Sequence, residues 1–220
     1  MADQFRILTV CTGNLHRSPL AAVLLERWAE WYLDVRVRRH VSVQSAGMAA
    51  VVGAQMGAFT QQIAAALGAD GSQHRAQQLT DTMAADADLI LTATVRQRDE
   101  IVARVPSALR RAFTIREASR AAQAIGLSFA SHSIDELRQR VRELAGHRGH
   151  GAKNIVDPEG ETEETYLQMA AEEVPALAHI ARWLMGMPAA EERAYIETVE
   201  DPVKLQSRIA SVTGARKDRA

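Results

Sequence analysis

A cysteine and an arginine six positions apart are the side chains of this sequence whose spacing could support chemistry. Cys11 follows an apolar run over residues 5–10, and Arg17 and Ser18 come after it at the spacing Cys-x5-Arg-Ser. A helix N-terminus and a nearby cation favour the nucleophilic thiolate form of a cysteine. A guanidinium binds two phosphoryl oxygens at once through its planar fork. The spacing therefore predicts a nucleophile, Cys11, beside an oxyanion-binding group, Arg17.

The residues between them are predicted to form an anion-binding loop, called the phosphate loop here. It consists of Thr12, Gly13, Asn14, Leu15 and His16. Gly13 and Asn14 tolerate the positive φ angles that turn backbone N–H groups inward. A loop that leads into a helix N-terminus presents unpaired N–H groups and the positive end of the helix dipole to an anion. This segment is therefore expected to bind a phosphate group.

The elements that must position this loop alternate between strand and helix. Short apolar segments at residues 5–10, 41–47, 88–93 and 112–115 predict strands, whereas helical periodicity covers residues 18–33, 59–67, 95–105 and 116–125. Alternation of this kind is typical of an α/β fold with a doubly wound parallel sheet. We therefore expect four parallel strands, with the first one ending at Cys11.

The pattern changes after residue 126. Residues 127–152 are interpreted as an insertion that contains a helix over about residues 134–145. A long amphipathic helix is predicted over residues 161–185, with Pro175 kinking it or dividing it in two. Residues 188–220 are charged and contain a further helix over about residues 190–199. The expected organisation is one domain over residues 1–187 and a C-terminal helical extension over residues 188–220.

Composition narrows the range of partners and compartments. The chain has 220 residues, a net charge of −1 and one cysteine. Near-neutral charge does not favour nucleic acid or an acidic membrane as a partner. No apolar stretch approaches the ~18–20 residues of a membrane span, and no signal peptide is evident. A single cysteine excludes an internal disulfide and fits the reducing cytoplasm.

Four segments together resemble one known family. They are residues 10–19 (VCTGNLHRSP), residues 45–47 (SAG), residues 73–76 (QHRA), and Asp157-Pro158 followed by residues 164–166 (ETY). In this order and spacing they are similar to the motifs of the low-molecular-weight protein tyrosine phosphatases. The resemblance covers most of residues 5–185 apart from the insertion. It implies a flavodoxin-like fold and hydrolysis of phosphate monoesters without metal or cofactor.

The resemblance also assigns roles to individual residues. It implies that Cys11 attacks phosphorus and forms a cysteinyl-phosphate, while Arg17 and the amides of the phosphate loop bind the phosphoryl oxygens. Ser18 is expected to hold the thiolate. Asn14 is expected to brace the loop through Ser45 and His74.

A proton donor is also required, and two Asp-Pro pairs are candidates. Asp157-Pro158 follows an apolar stretch and precedes the long helix, as in the family's acid loop. Asp201-Pro202 lies in the charged extension and is interpreted as a turn. Asp157 is therefore predicted to be the general acid of the first step and the general base of the second.

The sequence departs from the family at three places, and the loss of aromatic side chains bears on the substrate. His16 stands where the family usually has a second cysteine, and residues 48–52 and Glu159 stand where it commonly has aromatic side chains. Leu15 is aliphatic, as in the tyrosine phosphatases, whereas protein-arginine phosphatases have Thr there. Phosphotyrosine is the leading prediction. A sugar or nucleoside phosphate is the alternative, and an arsenate reductase or a non-catalytic phosphate-binding module ranks below both.

The insertion adds polar residues just before the predicted acid. Its His147, Arg148 and His150, with Lys153 after it, either contact an anionic substrate or lie in a solvated, mobile loop. The two histidines alone are too few for a metal site.

Overall fold

Four parallel strands form the sheet, and Cys11 is the last residue of one of the two inner strands. The computed structural model describes residues 4–126, 131–149 and 153–217. The strands are β1 (Phe5–Cys11), β2 (Val41–Gly47), β3 (Leu89–Thr92) and β4 (Ala112–Thr114). Their spatial order is β2-β1-β3-β4, and all neighbouring pairs are parallel. The predicted fold class is confirmed.

Helices and one short 3-10 turn connect the strands and follow them. The helices are α1 (Arg17–Tyr32), α2 (Val35–Arg38), α3 (Ala58–Ala66), α4 (Asp81–Asp86), α5 (Val95–Arg104), α6 (Ile115–Ile125), α7 (Ile134–Gly146), α8 (Glu163–Met185), α9 (Ala189–Glu200) and α10 (Pro202–Lys217). The 3-10 turn spans Pro106–Ala108. None of the helices in the described ranges is both long enough and apolar enough to cross a membrane.

The sheet is buried on both faces, which explains why its strands are apolar runs rather than alternating ones. Ile7 belongs to a large core that includes residues of α1, α6 and α8. Leu8 and Val10 belong to a smaller core on the other face with residues of α4 and α5. Parallel strands covered by helices on both sides require apolar residues at consecutive positions.

The carboxyl end of β1 lies where the strand order reverses. β1 pairs with β2 on one side and with β3 on the other, and Cys11 pairs with Gly47. In open α/β sheets, ligands bind outside the carboxyl ends of the strands at this kind of reversal. The topology therefore places Cys11 at the most favourable binding position of the sheet.

The long helix is continuous, so the prediction that Pro175 divides it in two was wrong. α8 runs without interruption from Glu163 to Met185 and includes Pro175. It begins two residues later than predicted, because Glu161 N–H donates to Pro158 O in a turn that has Gly160 at φ +76°. The apolar face of α8, which includes Leu177 and Leu184, is fully buried in the larger core.

The C-terminal residues fold as two helices rather than one. The predicted helix over residues 190–199 corresponds to α9, and α10 follows it directly. Asp201 Oδ1 accepts hydrogen bonds from the backbone N–H groups of Val203 and Lys204, so the Asp-Pro pair starts α10. α10 packs against α3, and its Leu205 is completely buried. The hydrophobic periodicity of the sequence did not predict α10, because the helix is rich in polar residues and only a few apolar ones, such as Leu205 and Ile209, face the core.

The predicted insertion contains α7. Arg148, one of its basic residues, packs against the sheet. Arg148 donates to Ala112 O at 2.7 Å, and its guanidinium lies 4.5 Å from the centre of the Phe113 ring. It also lies 3.5 Å from a carboxylate oxygen of Glu117. These contacts hold Arg148, whose side chain is 26% exposed, against the edge strand β4 rather than in a solvated loop. His150 lies outside the described residues.

Candidate active site

A directed chain of hydrogen bonds ends on the sulfur of Cys11. Cys11 is 2% exposed at the end of β1, and Ser18 Oγ in the first turn of α1 donates to its Sγ at 3.0 Å. Asn14 Nδ2 donates in turn to Ser18 Oγ at 2.9 Å. Ser18 Oγ is the acceptor in its hydrogen bond with Asn14, so the hydroxyl hydrogen of Ser18 can point at the sulfur. The Cys11 sulfur is thus the acceptor at the end of this chain of hydrogen bonds.

Asn14 shapes the phosphate loop through its backbone as well as its side chain. It is the one non-glycine residue with positive φ in the described ranges, at +58°. Its Nδ2 also donates to Ser45 Oγ at 2.9 Å, and its carbonyl oxygen is 2.8 Å from His74 Nε2. The structure thus brings Asn14, Ser45 and His74 together. A left-handed conformation is unfavourable for most residues, but asparagine tolerates it.

His74 acts as a neutral donor in this arrangement. A carbonyl oxygen can only accept, so Nε2 of His74 carries the hydrogen that binds the Asn14 carbonyl oxygen. Burial lowers the pKa of His74 below its ordinary value, an effect that the hydrogen bond to Asn14 partly offsets and the charge of Arg75 reinforces. His74 therefore supports the loop without adding a positive charge at neutral pH.

Gln77 is a further support that the sequence analysis missed. Its backbone N–H donates to Asn14 Oδ1 at 2.9 Å, and its side-chain Nε2 donates to Ser45 O at 2.9 Å. Gln77 directly follows the motif of residues 73–76, but no spacing in the sequence distinguishes this exposed glutamine from others.

Gly47 is also required beside the phosphate loop, since a Cβ at this position would lie 2.5 Å from Thr12 O.

Arg17 is buried and contacts the predicted acid. Its guanidinium, 3% exposed, pairs through Nη2 with Asp157 Oδ2, and its Nη1 is 3.5 Å from Ile155 O. Asp157 is about half exposed. The structure therefore places these two predicted residues side by side, although 140 positions separate them.

Behind Arg17 lies a carboxyl group that the sequence analysis also missed. Glu173 of α8 is completely buried, and neither of its oxygens has a hydrogen-bond partner among the described residues. Burial raises the pKa of Glu173 well above its ordinary value, and the charge of Arg17 offsets this only in part. Burial therefore favours the protonated form of this carboxyl group. Its signal in the sequence was its position on the apolar face of α8, four residues before Leu177.

The side chain of His16 points away from the phosphate loop and towards three other elements. His16 Nδ1 is 2.9 Å from Thr60 Oγ1 of α3, and its Nε2 is 2.7 Å from Glu159 Oε2. The Tyr166 ring of α8 meets the imidazole edge-on, with ring centres 5.1 Å apart. The segment of residues 157–161, called the acid loop from here on, therefore touches the phosphate region twice, through Asp157 and through Glu159.

An open cleft of about 670 Å³ lies above Arg17 and Asp157. The residues that line it are Thr12, Arg17, Met48, Ala49, Thr94, Arg96, Gln97, Glu100, Asn154, Ile155, Val156 and Asp157. Within the described parts of the chain, this lining contains no aromatic side chain. No three histidine, cysteine or acidic residues in those parts lie close enough together to hold a metal ion.

Comparison with known sequences decides the family. The sequence profile of the family described as "Low molecular weight phosphotyrosine protein phosphatase" matches residues 6–128. The chain belongs to this family. The matched region contains Cys11, the phosphate loop, Ser45 and His74, but it ends before the acid loop. The sequence match therefore says nothing about Asp157, which is assigned to the site by its contact with Arg17.

Curated relatives within the family have different named substrates. A probable low molecular weight protein-tyrosine-phosphatase EpsP of Ralstonia solanacearum is 43% identical over 101 residues, or 46% of this chain and 63% of the relative. A protein-arginine-phosphatase of Geobacillus stearothermophilus is 34% identical over 113 residues, or 51% of this chain and 70% of the relative. The chain thus spans less than two thirds of the first relative's length.

A solved structure agrees with the fold over a larger part of the chain. The YwlE arginine phosphatase from Geobacillus stearothermophilus is 26% identical and superimposes with a TM-score of 0.58. The superposition covers 89% of this chain and 96% of that structure. The family fold therefore extends well beyond the sequence match.

Proposed function

We propose that this protein is a phosphatase that hydrolyses phosphate monoesters through a cysteinyl-phosphate on Cys11. One observation carries the proposal: a buried Cys11 sulfur accepts a hydrogen bond from Ser18 at the end of β1, and Arg17 pairs with Asp157 in the cleft that the next residue, Thr12, lines. A protein that only bound phosphate would need neither a nucleophile nor a proton donor.

In the first step, the Cys11 thiolate attacks phosphorus while the bond between phosphorus and the leaving oxygen breaks. Asp157 donates a proton to that oxygen, because an alkoxide or phenoxide leaves poorly. Amides of the phosphate loop and the Arg17 guanidinium bind the equatorial oxygens, where charge is spread in the transition state. The products are an alcohol and a cysteinyl-phosphate.

In the second step, water attacks phosphorus and the S–P bond breaks. The Asp157 carboxylate takes a proton from the attacking water, and inorganic phosphate leaves. The Ser18 hydroxyl stabilises the departing thiolate of Cys11 by the hydrogen bond that it already forms in the resting protein. The cycle balances without an oxidant, a reductant or a metal.

Phosphotyrosine in proteins is the substrate that we propose first. The names of curated relatives support it, and so does Leu15, since the resemblance associates Thr at that position with phosphoarginine. The cleft lining of Met48, Ala49 and Arg96 supports a small phosphate ester as the alternative, because it offers no ring for stacking. Relative kcat/KM values on phosphotyrosine peptides and on sugar and nucleoside phosphates distinguish the two.

Replacement of the nucleophile tests the proposal. Cys11→Ser is expected to abolish turnover of p-nitrophenyl phosphate and the burst of p-nitrophenolate, because a serine hydroxyl is a far weaker nucleophile than a thiolate. Phosphate release measured in parallel gives the turnover. Asp201→Ala, which alters the other Asp-Pro pair, is the control and should retain the wild-type rate.

Three other outcomes would replace this proposal. Near-normal turnover by Cys11→Ser would exclude a cysteinyl-phosphate. A wild-type protein that binds phosphate but gives no burst would be a binding module, whereas thiol-dependent reduction of arsenate without phosphatase activity would indicate an arsenate reductase. We place the reaction in the cytoplasm, since the single cysteine suits a reducing compartment.

A further inference from the structure

We propose that Glu159 is a positioning residue that keeps Asp157 beside the phosphate loop while substrate is bound, and that it does so through His16. The inference rests on the proposed function, because it assigns Asp157 a proton-transfer role in a substrate complex. It concerns the resting contacts of the acid loop and what happens to each of them when a phosphoryl group enters the cleft.

The acid loop is attached to the phosphate region by two side-chain contacts. Asp157 pairs with Arg17, and Glu159 Oε2 lies 2.7 Å from His16 Nε2. His16 and Arg17 are adjacent in sequence, so the two contacts are neighbours. Within the acid loop, the backbone N–H of Glu159 also donates to Asp157 Oδ1 at 3.4 Å, which links the backbone at position 159 to the carboxylate of Asp157.

Substrate affects these two contacts differently. The guanidinium of Arg17 is the charged group that binds phosphoryl oxygens, so an incoming phosphate dianion competes with Asp157 for it. His16 does not face the cleft: its ring is 7% exposed and lies between Thr60 and Tyr166. The contact between Glu159 and His16 therefore persists when the pair between Arg17 and Asp157 is lost. It keeps the proton donor close to the leaving oxygen.

The chemistry of the imidazole suits this role. A carboxylate only accepts, so His16 Nε2 donates to Glu159. Thr60 Oγ1 lies 2.9 Å from Nδ1, so both ring nitrogens have a hydrogen-bond partner. Thr60 is completely buried in α3, so the ring is held by a rigid element. The carboxylate of Glu159 is largely exposed, and its role is therefore one of position rather than of fold stability.

The experiment compares three substitutions at two neighbouring positions. Glu159→Ala removes the acceptor, Glu159→Gln keeps an amide oxygen that can accept from His16, and Glu161→Ala removes an equal charge two residues away. Glu161 is exposed, and its side chain forms no hydrogen bond or ion pair within the described ranges. The readout is kcat/KM for phenyl phosphate, which needs leaving-group protonation, and for p-nitrophenyl phosphate, which needs it less.

Glu159→Ala is expected to lower kcat/KM for phenyl phosphate about fivefold, the effect of one charge-assisted hydrogen bond at a partly exposed site. The loss for p-nitrophenyl phosphate should be less than about twofold because its leaving group is weakly basic. Glu159→Gln, whose neutral amide oxygen is a weaker acceptor, should fall between Glu159→Ala and the wild type on phenyl phosphate, whereas Glu161→Ala should resemble the wild type on both substrates. In His16→Phe, which keeps a ring but no donor, a further Glu159→Ala change should have no additional effect.

A uniform loss across leaving groups, or equal behaviour of the three variants, would overturn the proposal. Amide hydrogen exchange of residues 157–161, with and without saturating inorganic phosphate, tests the contact without turnover. Glu159→Ala should exchange faster than Glu161→Ala, most clearly with phosphate, whereas equal rates would reject the inference. Absence of hydrolysis by the wild type would reject the proposed function instead, and the exchange result would still decide the role of Glu159.

Discussion

Asn14 combines two tasks at the residue scale. Its left-handed backbone bends the phosphate loop, and its amide orients the Ser18 hydroxyl towards Cys11. One side chain therefore couples the shape of the anion-binding loop to the hydrogen bond that the sulfur accepts. His74 and Gln77 hold Asn14 in place from the next segment of chain. The proposed nucleophile, Cys11, consequently depends on residues that lie outside the cleft of Arg17 and Asp157.

The role of Asp157 can be tested at the same scale. Asp157→Ala is expected to lower kcat/KM for phenyl phosphate by about 10²–10⁴-fold, the usual contribution of a positioned proton donor. The loss for p-nitrophenyl phosphate should be much smaller, because that phenolate leaves without full protonation. A series of aryl phosphates with leaving groups of different basicity measures the difference.

A matched substitution exists for this experiment. Asp201→Ala changes an aspartate that also precedes a proline, but Asp201 only caps the first turn of α10. It should leave the dependence on leaving group unchanged. Equal losses for Asp157→Ala across the aryl series would mean that Asp157 is not the general acid.

At the scale of elements, the C-terminal helices complete the core. α9 packs on α8, and α10 packs on α3, the helix that also holds Thr60 against His16. Val199, Leu205 and Ile209 of this segment are buried in the same core as β1. The extension thus covers apolar surface of the helices that support the site.

Leu205 is the residue of α10 that tests this packing. Leu205→Ala is expected to lower the free energy of unfolding by about 2–5 kcal/mol, because it leaves a cavity at a completely buried position. Val203→Ala, on the exposed side of the same helix at 74% exposure, should change it by less than about 0.5 kcal/mol. Chemical denaturation measures both, and equal midpoints would mean that α10 does not pack on α3.

At the scale of the whole molecule, two ionisable groups are buried for different reasons. Arg17 is buried but paired with Asp157, whereas Glu173 is buried without a hydrogen-bond partner among the described residues. A carboxyl group kept neutral by burial binds its proton more tightly in the folded state than in the unfolded state. The burial of Glu173 near Arg17 therefore makes the free energy of unfolding depend on pH.

The sign of that dependence gives a further prediction. The pKa of Glu173 is raised in the folded protein, so the unfolded chain loses this proton first as pH rises above about 4.5. Glu173 therefore lowers the free energy of unfolding as pH increases towards neutral. Glu173→Gln removes that contribution, and its denaturation midpoint should fall less between pH 5 and pH 8 than that of the wild type.

Glu161→Gln serves as the control for this measurement. It removes a carboxyl group that is exposed in the acid loop, and it should keep the wild-type dependence on pH. If Glu173→Gln and the wild type lose stability in parallel between pH 5 and pH 8, the carboxyl group of Glu173 is ionised in the folded protein.

Local sequence determined those parts of the site in which neighbours along the chain remain neighbours in space. Cys11, the phosphate loop, Arg17 and Ser18 follow from one strand that passes into one helix, and positive φ at Asn14 follows from its residue type. The apolar runs of β1 and β3 likewise indicated a sheet covered on both faces. Proline at position 175 was misleading, because packing of α8 into the core outweighs the local preference of one residue.

Only the tertiary structure decided the contacts between distant segments. Arg17 meets Asp157 and His16 meets Glu159 across 140 and 143 positions, and Gln77 reaches Asn14 across 63. The contacts of the partly buried Arg148 and the burial of Glu173 were likewise decided by the tertiary structure. These contacts depend on the order of the strands and on which helix face packs on the sheet. Both are set by summed burial over the whole chain, which no local spacing of residues encodes.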